Sequence, residues 1–211
     1  MTSGPASSPL RERTRRAVRA ELIDAAQDLF VAQGYEGTTV DQIAAAVGMS
    51  RRSFFRYFAS KDDLVLGKYD AMADQLVEAL HSRPSDEPLW VSLRRVLDGV
   101  VDYATDPTKA PRMAAMERIV QTNDALRASY LQRLDAIQGA LVTAARERAR
   151  ASGHAWDDAS PAPAAAVGAA FACVRTANDL AASTGLSLSD LLDDAFSQLG
   201  AVVSAPAGPP A

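Results

Sequence analysis

Residues 47–65, VGMSRRSFFRYFASKDDLV, set Phe54, Phe55, Tyr57 and Phe58 beside Arg51, Arg52, Arg56 and Lys61. Aromatic rings favour burial, whereas an arginine almost never goes fully inside without a partner. A short element carrying both must turn one face to a core and the other to solvent or to a polyanion. On a helix that begins after Ser50, Phe54 and Phe58 lie four residues apart and share the inner face, with Phe55 beside them. Arg51, Arg52 and Arg56 are then left for the outer surface.

The punctuation around this helix makes it the second of a pair. Thr39 and Gln42 stand in capping-box spacing and start a short helix whose apolar side is Val40, Ile43, Ala44 and Val47. Gly48 ends it, and Ser50 caps the next helix, RRSFFRYF. Ser60 with Asp63 repeats the capping pattern and opens a long helix through Leu64, Tyr69, Met72, Leu76 and Leu80. Upstream, Val18, Leu22, Ala25 or Ala26 and Leu29 recur at spacings of three and four, and Gly34 offers a stop, which predicts a first helix from Arg11. Two short helices joined by a four-residue turn containing Gly fit a helix-turn-helix, whose second helix lies in the DNA major groove while the first braces it.

Residues 13–66 resemble the DNA-binding domain of the TetR family of transcriptional regulators, through LFVAQGY, TTVDQIAAAVGMS and FFRYFASKDDLV in that order. The rest of the chain resembles the family in length and helical texture. The resemblance implies that Thr39 caps the second helix and touches a phosphate, that Ser50, Ser53 and Tyr57 give hydroxyl contacts to the DNA backbone, and that Lys61 supplies a further phosphate contact. Arg52 stands where the family usually has Gly, and Phe55 where a Tyr usually donates to a phosphate. Losing that donor costs on the order of 1 kcal/mol or more, which the extra guanidinium could offset. Arg51 and Arg52 are the candidate base readers, because Arg reaches G O6 and N7 in bidentate fashion. Arg11, Arg13, Arg15, Arg16 and Arg19 form a basic arm, read either as a minor-groove extension or as a solvated charge run. SRRSFFRYF followed by SKDDLVLG is also similar to a subset that includes mycofactocin-associated, acyl-CoA-responsive regulators.

Ala, Leu, Arg, Asp and Glu dominate the chain and period-two alternation is hard to find, so the expected fold is all-α. The resemblance implies its division into an N-terminal three-helix DNA-binding domain with a helix-turn-helix and a C-terminal helical bundle for ligand binding and dimerisation. The composition break SRPSDEPL at 82–89 opens a second region, with helices expected over 88–105, 110–121, 124–151, 162–184 and 188–204. The resulting division is a disordered tail over 1–10, the DNA-binding domain over 11–66, the effector-binding and dimerisation domain over 67–204, and a second disordered tail over 205–211. Ten Lys/Arg against eight Asp/Glu give residues 1–68 a net +2, and twelve against eighteen give the remainder −6, so the basic end suits a polyanion.

The lone Cys173 sits in an apolar stretch and reads as core, with no intramolecular disulfide available. His81 and His154 lack ligand spacing, so no metal and no cofactor are expected. Nucleophile elbow, phosphate loop, HExxH and dinucleotide fingerprint are all missing from the sequence, which argues against an enzyme. With no apolar h-region in MTSGPASSPL and no run near the roughly 18 apolar residues of a membrane span, a cytoplasmic protein without membrane partners is expected.

The family likeness further implies an effector pocket, for which Trp90, Leu97, Tyr103, Met113, Met116, Tyr130, Phe171 and Asn178 are candidates, and their Met and aromatic character suits an apolar or amphipathic guest. Arg175 and Asn178 are one turn apart and read as dimer contacts or pocket anchors, with the former preferred. In the family the pair corresponding to helices 162–184 and 188–204 builds a four-helix bundle with its mate, which implies a homodimer on palindromic double-stranded operator DNA. The expected function is therefore a ligand-responsive one-component regulator, a repressor released by a small effector, against the rivals of an activator and of a helical enzyme or adaptor.

Overall fold

The computed structural model describes residues 9–153 and 156–203. Among the described residues ten helices account for the architecture: α1 (Pro9–Gln33), α2 (Val40–Ala46), α3 (Arg51–Phe54), α4 (Asp62–His81), α5 (Leu89–Val96), α6 (Asp98–Thr105), α7 (Ala110–Thr122), α8 (Asp124–Ala151), α9 (Ala162–Thr184) and α10 (Leu188–Val203). No strand occurs among the described residues, which bears out the all-α expectation. The expected tails lie outside the described residues, as does His154, except that Pro9 and Leu10 already belong to α1.

The described residues form two compact units, one from 9–71 together with 110–133, the other from 72–109 with 134–153 and 156–203. Leu22, Ala26 and Phe30 of α1, Ile43 and Ala44 of α2, Phe54 of α3, Phe58, and Leu64, Val65 and Leu66 of α4 make one buried cluster in the first unit. Met116 and Val120 of α7 and Leu126 of α8 join that cluster. The segment 110–133 therefore folds with the N-terminal helices, whereas the sequence division at 66/67 assigned it to the effector region. Its apolar stripe closes the flank of α1, and the Arg112 guanidinium seals the junction at 2.5 Å from Asp28 and 3.7 Å from Asp24.

In the second unit α9 and α10 pack along one another, and α5 and α6 pack against that pair. Leu93, Leu97, Ile137, Leu141, Val167, Cys173, Leu192 and Phe196 are buried there. Burial pushes the Cys173 thiol pKa up. The expected helix 88–105 is two helices that break at Leu97, whose ψ of −7° departs from α geometry. Asp98 and Gly99, both poor helix-interior residues, follow at once. The start of α5 is tied to α10: the Trp90 indole N–H donates to the Phe196 carbonyl at 3.0 Å, and the two rings stack with centroids 4.4 Å apart. Arg94 continues the seam by donating to Asp193 at 2.7 Å and to Asp98 at 2.5 Å.

Candidate nucleic-acid interface

Local chemistry sets up the helix pair. The Thr39 hydroxyl accepts from the Gln42 N–H at 3.2 Å, and the Gln42 side chain accepts from the Thr39 N–H at 2.8 Å, so both halves of the capping box are made. The turn between α2 and α3 passes through Gly48 at φ 69°, a left-handed conformation that glycine adopts without a Cβ clash. The Ser50 hydroxyl then accepts from the Ser53 N–H at 3.2 Å and starts α3.

The reading helix is shorter than RRSFFRYF suggests. Regular helix stops at Phe54, and the chain continues in tighter turns, with the Arg56 N–H donating to the Ser53 carbonyl at 3.1 Å and the Tyr57 N–H to the Phe54 carbonyl at 2.8 Å. Three aromatic residues in four positions after Ser53 are indifferent helix formers, and one turn is too short to propagate unaided. The face segregation survives the change: Phe54 is 0% and Phe58 3% exposed, while Phe55 is 46% exposed and falls on the outer side. Phe55 meets Phe54 edge-on at 5.3 Å, and the Arg51 guanidinium lies 5.7 Å from its centroid.

Arg51, Arg52 and Arg56 are exposed, Ser53 and Tyr57 half-buried, and Thr39 and Ser50 exposed beside them. Arg51 donates to Asp41 at 2.9 Å, a pair in which both side chains are 61% exposed. Such a solvated pair is worth at most about 1 kcal/mol and exchanges readily for a base or phosphate.

Two basic residues stand differently from expectation. Lys61 turns its ammonium inward, donating to the Tyr35 carbonyl at 2.7 Å and the Thr38 carbonyl at 3.1 Å, and sits 3.9 Å from the Tyr35 ring centroid. In this structure it closes the α1–α2 loop, so the phosphate contact implied for Lys61 is not presented. The Tyr35 hydroxyl donates to Asp62, and burial followed by that carboxylate pushes the phenol pKa up. Of the basic arm, Arg11, Arg13, Arg15 and Arg16 are exposed on a regular helix, but Arg19 is half-buried. Its guanidinium lies 4.2 Å from the Phe58 ring centroid and donates to the Tyr57 carbonyl. The available sequence signal was its position one turn before Leu22 and Ile23, on the edge of the apolar stripe.

Asp63 is a further residue whose role exceeds its cap. Its N–H donates to the Ser60 hydroxyl at 3.2 Å as expected, but its carboxylate accepts from the Ala59 N–H at 3.1 Å and from Arg133 at 2.9 Å. The end of the reading segment is thereby joined to α8.

The effector-pocket candidates do not share one unit. Met113, Met116 and Tyr130 belong to the first, whereas Trp90, Leu97, Tyr103, Phe171 and Asn178 belong to the second. Met116 is core, and Tyr130 meets Tyr69 edge-on at 5.1 Å, its phenol pKa raised by burial and then by Glu117. Lys68, next to Tyr69, has its pKa lowered by burial, with Glu117 opposing. Leu97 is core and Trp90 is spent on Phe196, while Tyr103 and Phe171 are half-buried. Asn178 is exposed on α9, as is Arg175, so of the two readings given for the pair the exposure suits the preferred one, a dimer contact, rather than a pocket anchor. The first unit also carries clefts of about 420 Å³ and 250 Å³ at the α1 C-terminus, the larger lined by Gln33, Tyr35, Glu36, Ile119, Thr122 and Asn123 among others, and neither includes a candidate residue. Among the described residues no helix is long and apolar enough to cross a membrane, and no His, Cys, Asp or Glu cluster is arranged for a metal ion.

Comparison with known proteins agrees with this geometry. The profile of "Bacterial regulatory proteins, tetR family" matches residues 22–67, the span from mid-α1 to early α4. The transcriptional regulator TcmR of Streptomyces glaucescens is 41% identical over 151 residues, covering 69% of this chain and 67% of TcmR. MftR of Mycobacterium tuberculosis, a mycofactocin biosynthesis transcriptional regulator, is 36% identical over 85 residues, covering 40% of this chain and 43% of MftR. A TetR-family regulator from Mesorhizobium loti shares the fold at a TM-score of 0.59 and 19% identity, covering 90% of this chain and 96% of that one. A cap-turn-cap helix pair with an arginine-bearing outer face, inside a profile match and a relative of this identity and extent, has one reading: this chain belongs to the TetR family of bacterial transcriptional regulators, which are not enzymes.

Proposed function

We propose that this chain is a ligand-responsive one-component repressor that binds a palindromic operator as a two-fold dimer and is released by a small apolar or amphipathic effector in the cytoplasm. The observation that carries the DNA reading is the placement of Arg51, Arg52 and Arg56 on the exposed side of a segment whose Phe54 and Phe58 are buried. Arg51 and Arg52 read bases, and Arg56, Thr39, Ser50, Ser53 and Tyr57 hold phosphates, with Phe55 in apolar contact at the groove. Lys61 joins them only if its ammonium leaves the Tyr35 and Thr38 carbonyls. Residues 11–66 act as the DNA-binding domain and 67–204 as the effector-binding and dimerisation domain, even though 110–133 packs with the former.

Support for dimerisation through helices 162–184 and 188–204 comes from their outer surface: Leu180 is 43% and Leu199 37% exposed, and Arg175 and Asn178 lie exposed on α9. The effector acts by population shift, binding better to the state in which the two reading segments no longer match successive major grooves. The mycofactocin-associated, acyl-CoA-responsive subset is our reading for the effector class, and the 36% identity to MftR over 85 residues is in keeping with the first half of it.

Selection of duplexes from a random pool tests the reading. The wild-type protein is expected to enrich a two-fold symmetric site and to bind it with steep salt dependence. Replacing Arg51 and Arg52 together by Ala lowers affinity for that site about a hundredfold, with circular dichroism and dimer mass unchanged. Retained operator affinity in the double variant would sink the assignment. A promoter-fused reporter that falls rather than rises on deleting the gene would make the protein an activator.

A further inference from the structure

Five arginines precede the core of α1, and four of them are exposed. Arg19 instead reaches the place where the chain leaves the reading segment. We propose that Arg19 is a positioning residue for DNA recognition, holding the C-terminal end of segment 51–57 in its reading geometry without itself touching DNA.

The segment needs such support. Regular helix covers only Arg51–Phe54, so carbonyls beyond it lack intrahelical donors, and a single turn has little intrinsic stability. Arg19 donates to the Tyr57 carbonyl and stacks its guanidinium 4.2 Å from the Phe58 centroid, a flat cation on an aromatic face. The Asp63 carboxylate accepts the Ala59 N–H at 3.1 Å. Residues 57–59 are thus gripped by one side chain from 38 residues upstream and another from four downstream. A change in the Arg19 contact rotates Tyr57 and the turn that presents Arg56, without removing any group from the outer face. An arginine that holds a backbone carbonyl and a ring also contributes nothing to counterion release, which distinguishes it from a phosphate-binding arm.

The inference rests on the reading that Arg51, Arg52 and Arg56 meet DNA, and the test separates the two. Full-length wild-type, Arg19→Gln and Arg19→Lys proteins are titrated by fluorescence anisotropy against the duplex that the wild type selects and against a scrambled duplex, each over a salt series. Arg19→Gln is expected to weaken binding to the selected duplex about tenfold, the scale of a lost charge-assisted hydrogen bond, while the scrambled duplex is bound as before. The slope of log K against log salt stays at the wild-type value, and amide hydrogen exchange of residues 55–59 accelerates. Arg19→Lys, which keeps a donor and a cation, recovers part of the affinity and slows exchange again. Should Arg19→Gln fail to fold, Arg19→Lys against the wild type carries the same comparison, with a smaller loss at constant slope. A slope that drops by about 1 for each arginine lost from the complex makes Arg19 a phosphate contact and overturns the proposal. Unchanged affinity in a folded Arg19→Gln protein overturns it as well. A wild type that selects no duplex at all refutes the DNA reading itself, and the inference falls with it.

Discussion

The helix pair of the first unit and the α5–α10 seam of the second are held together over different distances along the chain. Between Thr39 and Phe58, the cap of α2, the Gly48 turn and the cap of α3 are all made by residues three to five apart. The α5–α10 seam consists of Trp90 with Phe196 and Arg94 with Asp193, separated by 106 and 99 residues. Short-range structure follows from residue chemistry at a fixed spacing, because the partner's position is given once the helix is. Long-range structure depends on which faces meet, and that is decided by packing the whole unit.

The strongest way to break this contrast is to remove the part of the helix pair that is not local. Phe54 is fully buried among α1, α2 and α4 residues, so Phe54→Ala deletes a ring and leaves a cavity. Destabilisation of about 3–5 kcal/mol is expected in urea unfolding followed by circular dichroism. A loss below about 1 kcal/mol would mean that the caps alone hold the pair and that its core contact is incidental.

A smaller effect sharpens the other side. Gly200 lies inside α10, and on local grounds Gly200→Ala should stabilise the helix by about 1 kcal/mol. A Cβ there would stand 2.9 Å from the Trp90 Nε1 and 3.2 Å from its Cδ1, and the indole is pinned by its hydrogen bond to Phe196. Overpacking of this kind costs about 1–3 kcal/mol, so the expected sign is net destabilisation in thermal melts. A rise in Tm would show that local propensity outweighs the distant seam. Trp90→Phe in the same background relieves the clash and should restore the stabilising sign.

The same distinction explains what could be read from the sequence. The all-α class, the bounds of α2, the four-residue turn and the inward Phe54 and Phe58 were legible because caps, Gly48 and spacing four encode them directly. The early stop of the reading helix was not, since indifferent helix formers after Ser53 set no definite end and leave it to tertiary contacts such as the burial of Phe58. Nor were Lys61 and Arg19, two cations that reach backbone carbonyls 26 residues back and 38 residues ahead, because composition cannot tell a charge on a loop from a charge on DNA. The membership of 110–133 in the first unit was equally hidden. A stripe of Ala115, Met116, Val120 and Leu126 suits either unit, so composition does not assign it.

The connection between α4 and α5 combines both ranges, and its smaller effect is visible in pH. The Glu87 carboxylate accepts from Arg83 at 2.8 and 2.5 Å and from the Ser92 hydroxyl at 2.7 Å, while Arg148 donates to the Glu87 carbonyl at 2.8 Å from 61 residues away. The Arg83 and Ser92 hydrogen bonds hold the Glu87 pKa at about 2, against 4.5 for the free group. Because the folded-state value is the lower one, the unfolded chain binds the proton first as pH falls. The carboxylate's contribution is therefore complete above about pH 4.5 and is lost between about pH 4.5 and pH 2. Glu87→Gln removes the charge and keeps the shape, so the Tm difference from wild type should be constant from about pH 7 to pH 5 and close as the pH drops through that window. No Tm difference between the two proteins at about pH 7 would assign the loop to the Arg148 grip on the Pro84 and Glu87 carbonyls, the long-range partner that both proteins keep, rather than to the ion pair four residues apart.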